Sequence, residues 1–319
     1  MEKLYPLRFV PVYKDYIWGG SRIPQIFHRN MPAGTYAESW EISTHPDGAT
    51  KIANGPLAGK TLTDLLPAQK NELLGTNVKS DDFPLLIKLI DARENLSVQV
   101  HPNDATAAAV NGQAKSEMWY FLGDAEPAYI YCGLKSGIGK TEFMRALENK
   151  TFADILQKIP VKQGGAVYVP GGRVHAIGEG CLILEIQQNS NTTYRVYDWD
   201  RVDAAGKSRE LHINQALQVI DWEHNGNPVC TPDGTTVCAS PYFRLAQFKL
   251  NEQTAFPVTG ATFHALFIAA GGGKICWNTA AGRVSEELLP GQSWLIPAVP
   301  GEYSIAPETE IMVLQVTVP

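Results

Sequence analysis

Apolar residues in this chain gather in short runs broken by glycine, proline and asparagine, and few stretches repeat at helical intervals. The runs LILEIQ (182–187) and FHALFI (263–268) are of this kind and predict strands of a sandwich or barrel. In SVQVH (97–101) the alternation is strict, so Ser97, Gln99 and His101 share one face of a strand while Val98 and Val100 share the other. The segment 164–175 joins two glycines, the apolar run AVYV, the turn Pro170-Gly171-Gly172 and His175. Proline fixes φ and glycine permits positive φ, so this segment reads as a strand, a tight turn and a returning strand that starts near His175.

Helical periodicity is confined to inserts. Residues 61–75 open on a threonine suited to capping and close on a glycine, which predicts helix over part of that stretch. Residues 141–150 and 152–156 space their apolar positions by three and four and read as two short helices; 214–221 reads as another.

With 319 residues, 44% of them apolar, the chain can bury one large or two moderate cores. A net charge of -6 without a basic run argues against nucleic acid or an anionic membrane as partner, so an anionic ligand needs a local basic pocket. No apolar segment follows Met1-Glu2-Lys3, and no stretch nears the roughly 20 apolar residues of a membrane span, which predicts a cytoplasmic protein. Cys132, Cys181, Cys230, Cys238 and Cys276 are scattered without CxxC spacing and read as buried thiols, neither a disulfide framework nor a zinc knuckle.

Four residues far apart in the chain have the chemistry of one metal site: Gln99, His101, Glu117 and His175. Two imidazoles, a carboxylate and an amide oxygen suit zinc and leave room for solvent or substrate, and other divalent ions fit such a mixed set. The spacing Gly164-x5-Pro170-x-Gly172-x2-His175 resembles the second metal motif of the cupins. Here Gln99 stands where the first cupin motif has a histidine, and Glu117 follows His101 by 16 residues, so 103–116 must loop out. Gln-x-His, a later Lys-x-Glu and a downstream histidine together resemble the type I mannose-6-phosphate isomerases. The resemblance continues through YIWGG (16–20), ESWEIS (38–43), FPLLIK (83–88) and NSNTTYRVYDW (189–199), in the order of the short bacterial branch.

That resemblance implies a mainly β protein, a cupin (jelly-roll) β-barrel with helical inserts, holding one zinc ion per chain on Gln99, His101, Glu117 and His175. It implies interconversion of mannose 6-phosphate, a sugar phosphate, and fructose 6-phosphate through an enediol. Further on, Gly291 and Pro297 repeat the glycine-to-proline spacing, with Glu302 at the place matching His175, which reads as a second, metal-free cupin-like β-domain. The expected division is 1–235 for the metal-binding catalytic unit and 236–319 for the second, joined by a connector from His224 to Gly234.

Carried over by position, Arg195 matches the family's arginine over the reacting carbons, where a permanent cation stabilises an enediolate. Lys115 stands two before Glu117, so on a strand it points the same way into the cavity, to bind a sugar hydroxyl or move a proton, and Glu185 is a carboxylate on an apolar strand, an acid or base candidate. Glu185, Lys115 and a metal-bound water all fit the role of base. For the phosphate, Ser97 shares the face of Gln99 and His101, and Lys88 interrupts the apolar run PLLIKLI. His45, in the polar turn STHPDG, fits the site mouth better than ligation.

The alternative is a non-catalytic metal-bearing cupin that binds a sugar or sugar phosphate; Lys115, Glu185 and Arg195 beside the ligands distinguish an enzyme from it. An iron oxygenase calls for more histidine, and Gln99 speaks against it.

Overall fold

Several strands of this protein are buried along their whole length, and the layers on either side of them explain the fold. A computed structural model describes residues 3–123, 128–202, 205–223 and 226–319. The N-terminal segment contributes β1 (Leu7–Val10), β2 (Val12–Lys14), β3 (Glu38–Ile42) and β4 (Lys51–Ile52), with helices α1 (Arg22–Ile26) and α2 (Leu62–Leu74). A first run of strands follows: β5 (Leu85–Asp91), β6 (Val98–Val100), β7 (Glu117–Phe121), β8 (Tyr129–Leu134), β9 (Leu156–Pro160), β10 (Ala166–Val169), β11 (His175–Ile177) and β12 (Leu182–Gln188). Helix α3 (Lys140–Glu148) lies between β8 and β9, while β13 (Tyr194–Tyr197) and α4 (Ile213–Val219) close the unit. The second run is β14 (Thr236–Ala239), β15 (Arg244–Leu250), β16 (Thr254–Val258), β17 (His264–Ala270) and β18 (Gly273–Thr279). It ends with β19 (Gly282–Leu288), β20 (Ser293–Ile296), β21 (Gly301–Pro307) and β22 (Ile311–Thr317).

The two runs fold alike. In the first, the sheets order as β10-β7-β12-β5 and β6-β11-β8-β9; in the second, as β20-β17-β22-β15 and β16-β21-β18-β19. Strands β5 to β12 thus correspond one for one with β15 to β22, two mainly β cupin jelly rolls of which the first carries helical inserts. The first strand of the chain does not stay with its neighbours: β1 pairs with β20 and extends the second barrel's sheet.

Both faces of the β10-β7-β12-β5 sheet are covered. Leu85, Ile87, Leu89, Met118, Tyr120, Leu184 and Ile186 pack in one core with Leu245, Phe263, Phe267 and Leu314 of the second barrel. The alternate residues, Ile90, Trp119, Phe121 and Ile183, line the first barrel's interior. Val98 and Val100 of β6 pack instead on Phe143 of α3 and Ala216 and Val219 of α4, so the helical inserts cover that sheet's outer face.

Local signals held at the inserts. Thr61 accepts from the Asp64 amide and Asp64 accepts from the Thr61 amide, a capping box that starts α2, and Gly75 ends it at φ +87. The expected second helix after α3 is a short 3-10 turn, Phe152–Ile155. No helix among the described residues is long and apolar enough to cross a membrane.

Two expectations are corrected. Cys230 and Cys238 are not thiols but a disulfide: the connector pairs with the edge of β10 through the Cys230 amide and the Ala166 carbonyl and so runs beside β14. His224 and Asn225 of the expected connector lie outside the described residues. Glu302, expected to match His175, is exposed, and Tyr303 is the buried residue there. Gly164 and Gly291 both turn with positive φ, and Val169 pairs with Glu117 as Ile296 pairs with His264. Past the proline, however, the second barrel's turn is one residue longer, which moves the inward position from 302 to 303.

Arg29 joins the two units. Its guanidinium donates three times to Glu41 at 2.9, 2.9 and 3.0 Å, to Ser39 at 2.8 Å and to the Gly291 carbonyl at 2.5 Å, while Ser293 also donates to Glu41. Glu41 is fully buried, so removing its cation leaves an uncompensated charge. Arg29→Met should lower unfolding stability by about 3–5 kcal/mol, read as a drop in the urea midpoint. A midpoint unchanged from the parent would show that Glu41 does not depend on this pair.

Candidate metal centre and active-site cavity

The strand registers bring the dispersed candidates together. His175 opens β11 directly opposite Gln99 of β6, and Gln99 lies opposite Arg195 of β13. Across the barrel Glu117 opens β7, and because side chains alternate, Glu117 and Trp119 both face inward. Glu185 of β12 sits between Lys88 on one neighbour and Trp119 on the other.

His101, Glu117 and His175 converge, with their ligating atoms all within 4.8 Å of one another and each side chain buried. His101 Nε2 lies 3.4 Å from Glu117 Oε2, and His175 Nε2 lies 3.1 Å from Glu117 Oε1. The other ring nitrogen of each histidine faces a carbonyl: His101 Nδ1 meets Thr192 at 2.9 Å and His175 Nδ1 meets Arg173 at 2.8 Å. A carbonyl only accepts, so each Nδ1 carries the proton and each Nε2 presents a lone pair to the centre. Burial, then Lys115, pushes His101 down to about 3, which keeps it neutral. Burial works to raise the Glu117 carboxyl, but the Lys115 ammonium beside it outweighs that and holds Glu117 well below the usual carboxylate range.

This set fits a divalent cation. Glu117 Oε1 and His175 Nε2 are buried without a hydrogen-bond partner, a costly arrangement that a cation would relieve. Gln99 projects from the position opposite His175, on the same sheet face as His101. Lys115 supplies the positive charge here: its ammonium touches Glu117 Oε2 and lies 3.0 Å from His101 Nε2. It is not on a strand, since β7 begins at Glu117, and reaches the centre from the end of the 103–116 loop.

Beside this cluster opens a cavity of about 250 Å³ lined by Lys88, Ser97, Gln99, Lys115, Glu185 and Arg195, each of them a candidate from the sequence. Glu185 accepts from Trp119 Nε1 at 2.9 Å and pairs with Lys88 at 2.8 Å. Burial pushes the Glu185 carboxyl up, an effect that Lys88 opposes without cancelling. Lys88 also meets Glu38 at 3.4 Å, and the two carboxylates hold its ammonium firmly charged against the effect of burial. Arg195 donates to Ser97 Oγ at 3.2 Å and to the Glu210 carbonyl at 2.8 Å. His45 lies apart from the ligands, bonded to the Asp47 amide, and Asp47 accepts from Asn191 of the cavity wall.

Sequence reasoning missed Trp119, Glu38 and Arg209. Trp119 was open to it: two residues after Glu117 on a strand, it must face the same way, and its ring meets His175 edge-on at 5.5 Å. Glu38 lies within a segment already noted but carried no role, and Arg209 has no local pattern, since a loop brings it to the cavity.

Residues 7–128 match the sequence profile of the phosphomannose isomerase type I catalytic domain. The chain is 37% identical over 319 residues to the probable mannose-6-phosphate isomerase GmuF of Bacillus subtilis, covering 97% of this chain and 98% of that protein. It is 40% identical over 268 residues to the mannose-6-phosphate isomerase of Streptococcus mutans, covering 81% and 83% respectively. The crystal structure of the mannose 6-phosphate isomerase from Bacillus subtilis superposes with a TM-score of 0.87 at 31% identity, over 98% of this chain and 99% of that one. Sequence, fold and the converging His101, Glu117 and His175 agree, and the chain belongs to the type I phosphomannose isomerases, an isomerase family.

Proposed function

We propose that this protein interconverts mannose 6-phosphate and fructose 6-phosphate through an enediol, with one zinc ion held by Gln99, His101, Glu117 and His175. The observation that carries the reading is the single cavity that places Lys115, Glu185 and Arg195 beside the buried His101, Glu117 and His175. A pure binding module has no need of a buried carboxylate pushed upward next to two cations.

When bound, the ion supplies a Lewis acid that polarises the carbonyl and offsets charge on the enediolate oxygens. The chain's own residues do the rest. Glu185 moves the proton between C1 and C2: burial raises it toward the working range of a base, and Trp119 and Lys88 fix its orientation. Arg195 stabilises negative charge on the enediolate from the β13 side, and Lys115 holds a hydroxyl near Glu117. Trp18, Ile90, Leu96 and Ile177 form the apolar part of the wall and keep bulk water from the intermediate. Ser97 stands on the wall as the phosphate ligand, whereas Lys88, already neutralised by Glu38 and Glu185, is reassigned from phosphate to Glu185. Residues 1–235 do the chemistry in this reading and 236–319 support them.

Purified protein, stripped by a chelator and reloaded with zinc, should convert mannose 6-phosphate to fructose 6-phosphate; a correctly folded, loaded protein with no conversion sinks the isomerase reading. His101→Ala and His175→Ala should each lose bound metal, measured by atomic emission, and stoichiometric zinc in either rules out this ligand set. Glu185→Gln and Arg195→Ala should keep about one zinc while kcat falls about 10²–10⁴-fold. A kcat near that of the parent would remove the residue concerned from the chemistry.

A further inference from the structure

The charges around the cavity are unevenly distributed. At the inner end each cation has a carboxylate: Lys88 pairs with Glu185 and Glu38, and Lys115 touches Glu117. At the outer end Arg195 and Arg209 line the wall beside Ser97, with Arg201 adjoining them. Asp198 is buried and binds two of the three, taking Arg209 Nε and Nη2 at 2.7 and 2.5 Å and Arg201 Nη2 at 2.6 Å. Glu94 meets Arg201 at a longer 3.6 Å. Arg195 is bonded to Ser97 and to a backbone carbonyl, with no carboxylate among its hydrogen bonds. Burial, then the neighbouring Arg209 guanidinium, pull Arg195 below its ordinary range, as expected of crowded cations. This is the basic pocket that an acidic chain needs for an anionic ligand.

Resting on the isomerase reading of this cavity, we propose that Arg209, held in a fork by Asp198, selects the phosphorylated sugar. Its Nη1 edge, together with Ser97, receives the phosphate dianion. The bidentate grip of Asp198 fixes the guanidinium plane before the ligand arrives, so little ordering is left to do on binding. The placement also suits the reaction. Four residues of extended chain put Ser97 roughly 13 Å from His101 along the β6 face, and the C6 phosphate lies at the far end of the sugar from C1 and C2. A dianion at Lys88 would instead face Glu38 and Glu185.

Zinc-loaded Arg209→Gln and Arg209→Lys are compared with the parent in two ways. One is steady-state kinetics on mannose 6-phosphate with inorganic phosphate as competitor; the other is calorimetric titration with inorganic phosphate alone. Arg209→Gln should raise KM and the dissociation constant of phosphate together, about 10- to 100-fold, while kcat moves far less. Arg209→Lys keeps the charge without the fork and should recover part of the loss. Unchanged KM and phosphate affinity in Arg209→Gln overturns the proposal, as does a fall in kcat with KM unmoved. The titration needs no turnover: phosphate bound through Arg209 by a protein that does not isomerise would sink the isomerase reading and leave this one standing.

Discussion

A β-sheet buried on both faces cannot carry an unpaired charge, and the β10-β7-β12-β5 sheet is buried on both. Desolvating an isolated ion costs more than any single packing contact returns, so each charge on the inner face needs a partner placed by register. Lys88 is opposite Glu185 for this reason, and Glu38 arrives from β3 to share it. Around the site three buried carboxylates, Glu38, Glu117 and Glu185, face two buried lysines, Lys88 and Lys115, with His101 neutral.

The second barrel shows that the fold itself does not demand those charges. Register places His264 where the first barrel has Glu117, and Gln315 where it has Glu185, since Trp119 and Leu266 occupy matching positions between their neighbours. Tyr303 takes the place of His175. The three bond one another: His264 Nδ1 lies 3.2 Å from Tyr303 Oη and from Gln315 Nε2, and Gln315 donates to Tyr303 at 3.1 Å. Neutral side chains therefore satisfy this part of the jelly roll, and burial pushes His264 down to about 4, which keeps it uncharged. The same scaffold carries a neutral set at the matching positions of the second barrel, so the jelly roll itself does not require the ions of the first.

What the sequence made legible was whatever depends on period and turn. Alternation in SVQVH placed Gln99 and His101 on one face, and the glycine and proline of 164–172 fixed the return to His175. Lys115 reached the centre for another reason than the one expected, because it lies on a loop and alternation does not govern it. The match of Glu302 to His175 failed by one residue, since spacing cannot reveal an added turn residue that flips the following strand's faces. The Cys230–Cys238 disulfide depends on the connector pairing with β10, a contact between segments with no local signature. Lys88 is the instructive case: a lone cation in an apolar run announces that it has a partner, but not whether the partner is a ligand or a neighbouring strand.

That distinction leads to Trp119, which ties the two halves of the site together. Its indole N–H donates to Glu185, the carboxylate assigned to proton transfer, and its ring packs against His175, a candidate metal ligand. Trp119 is fully buried on a strand that starts with Glu117, so its position is set by the same register that places the metal-site carboxylate. A shift of β7 by one residue would turn Glu117 and Trp119 together toward the second barrel and strand both Glu185 and His175. The pairing of β7 between β10 and β12 is thus one constraint with two effects: it closes the barrel, and it holds Glu185 in register with Glu117 and His175.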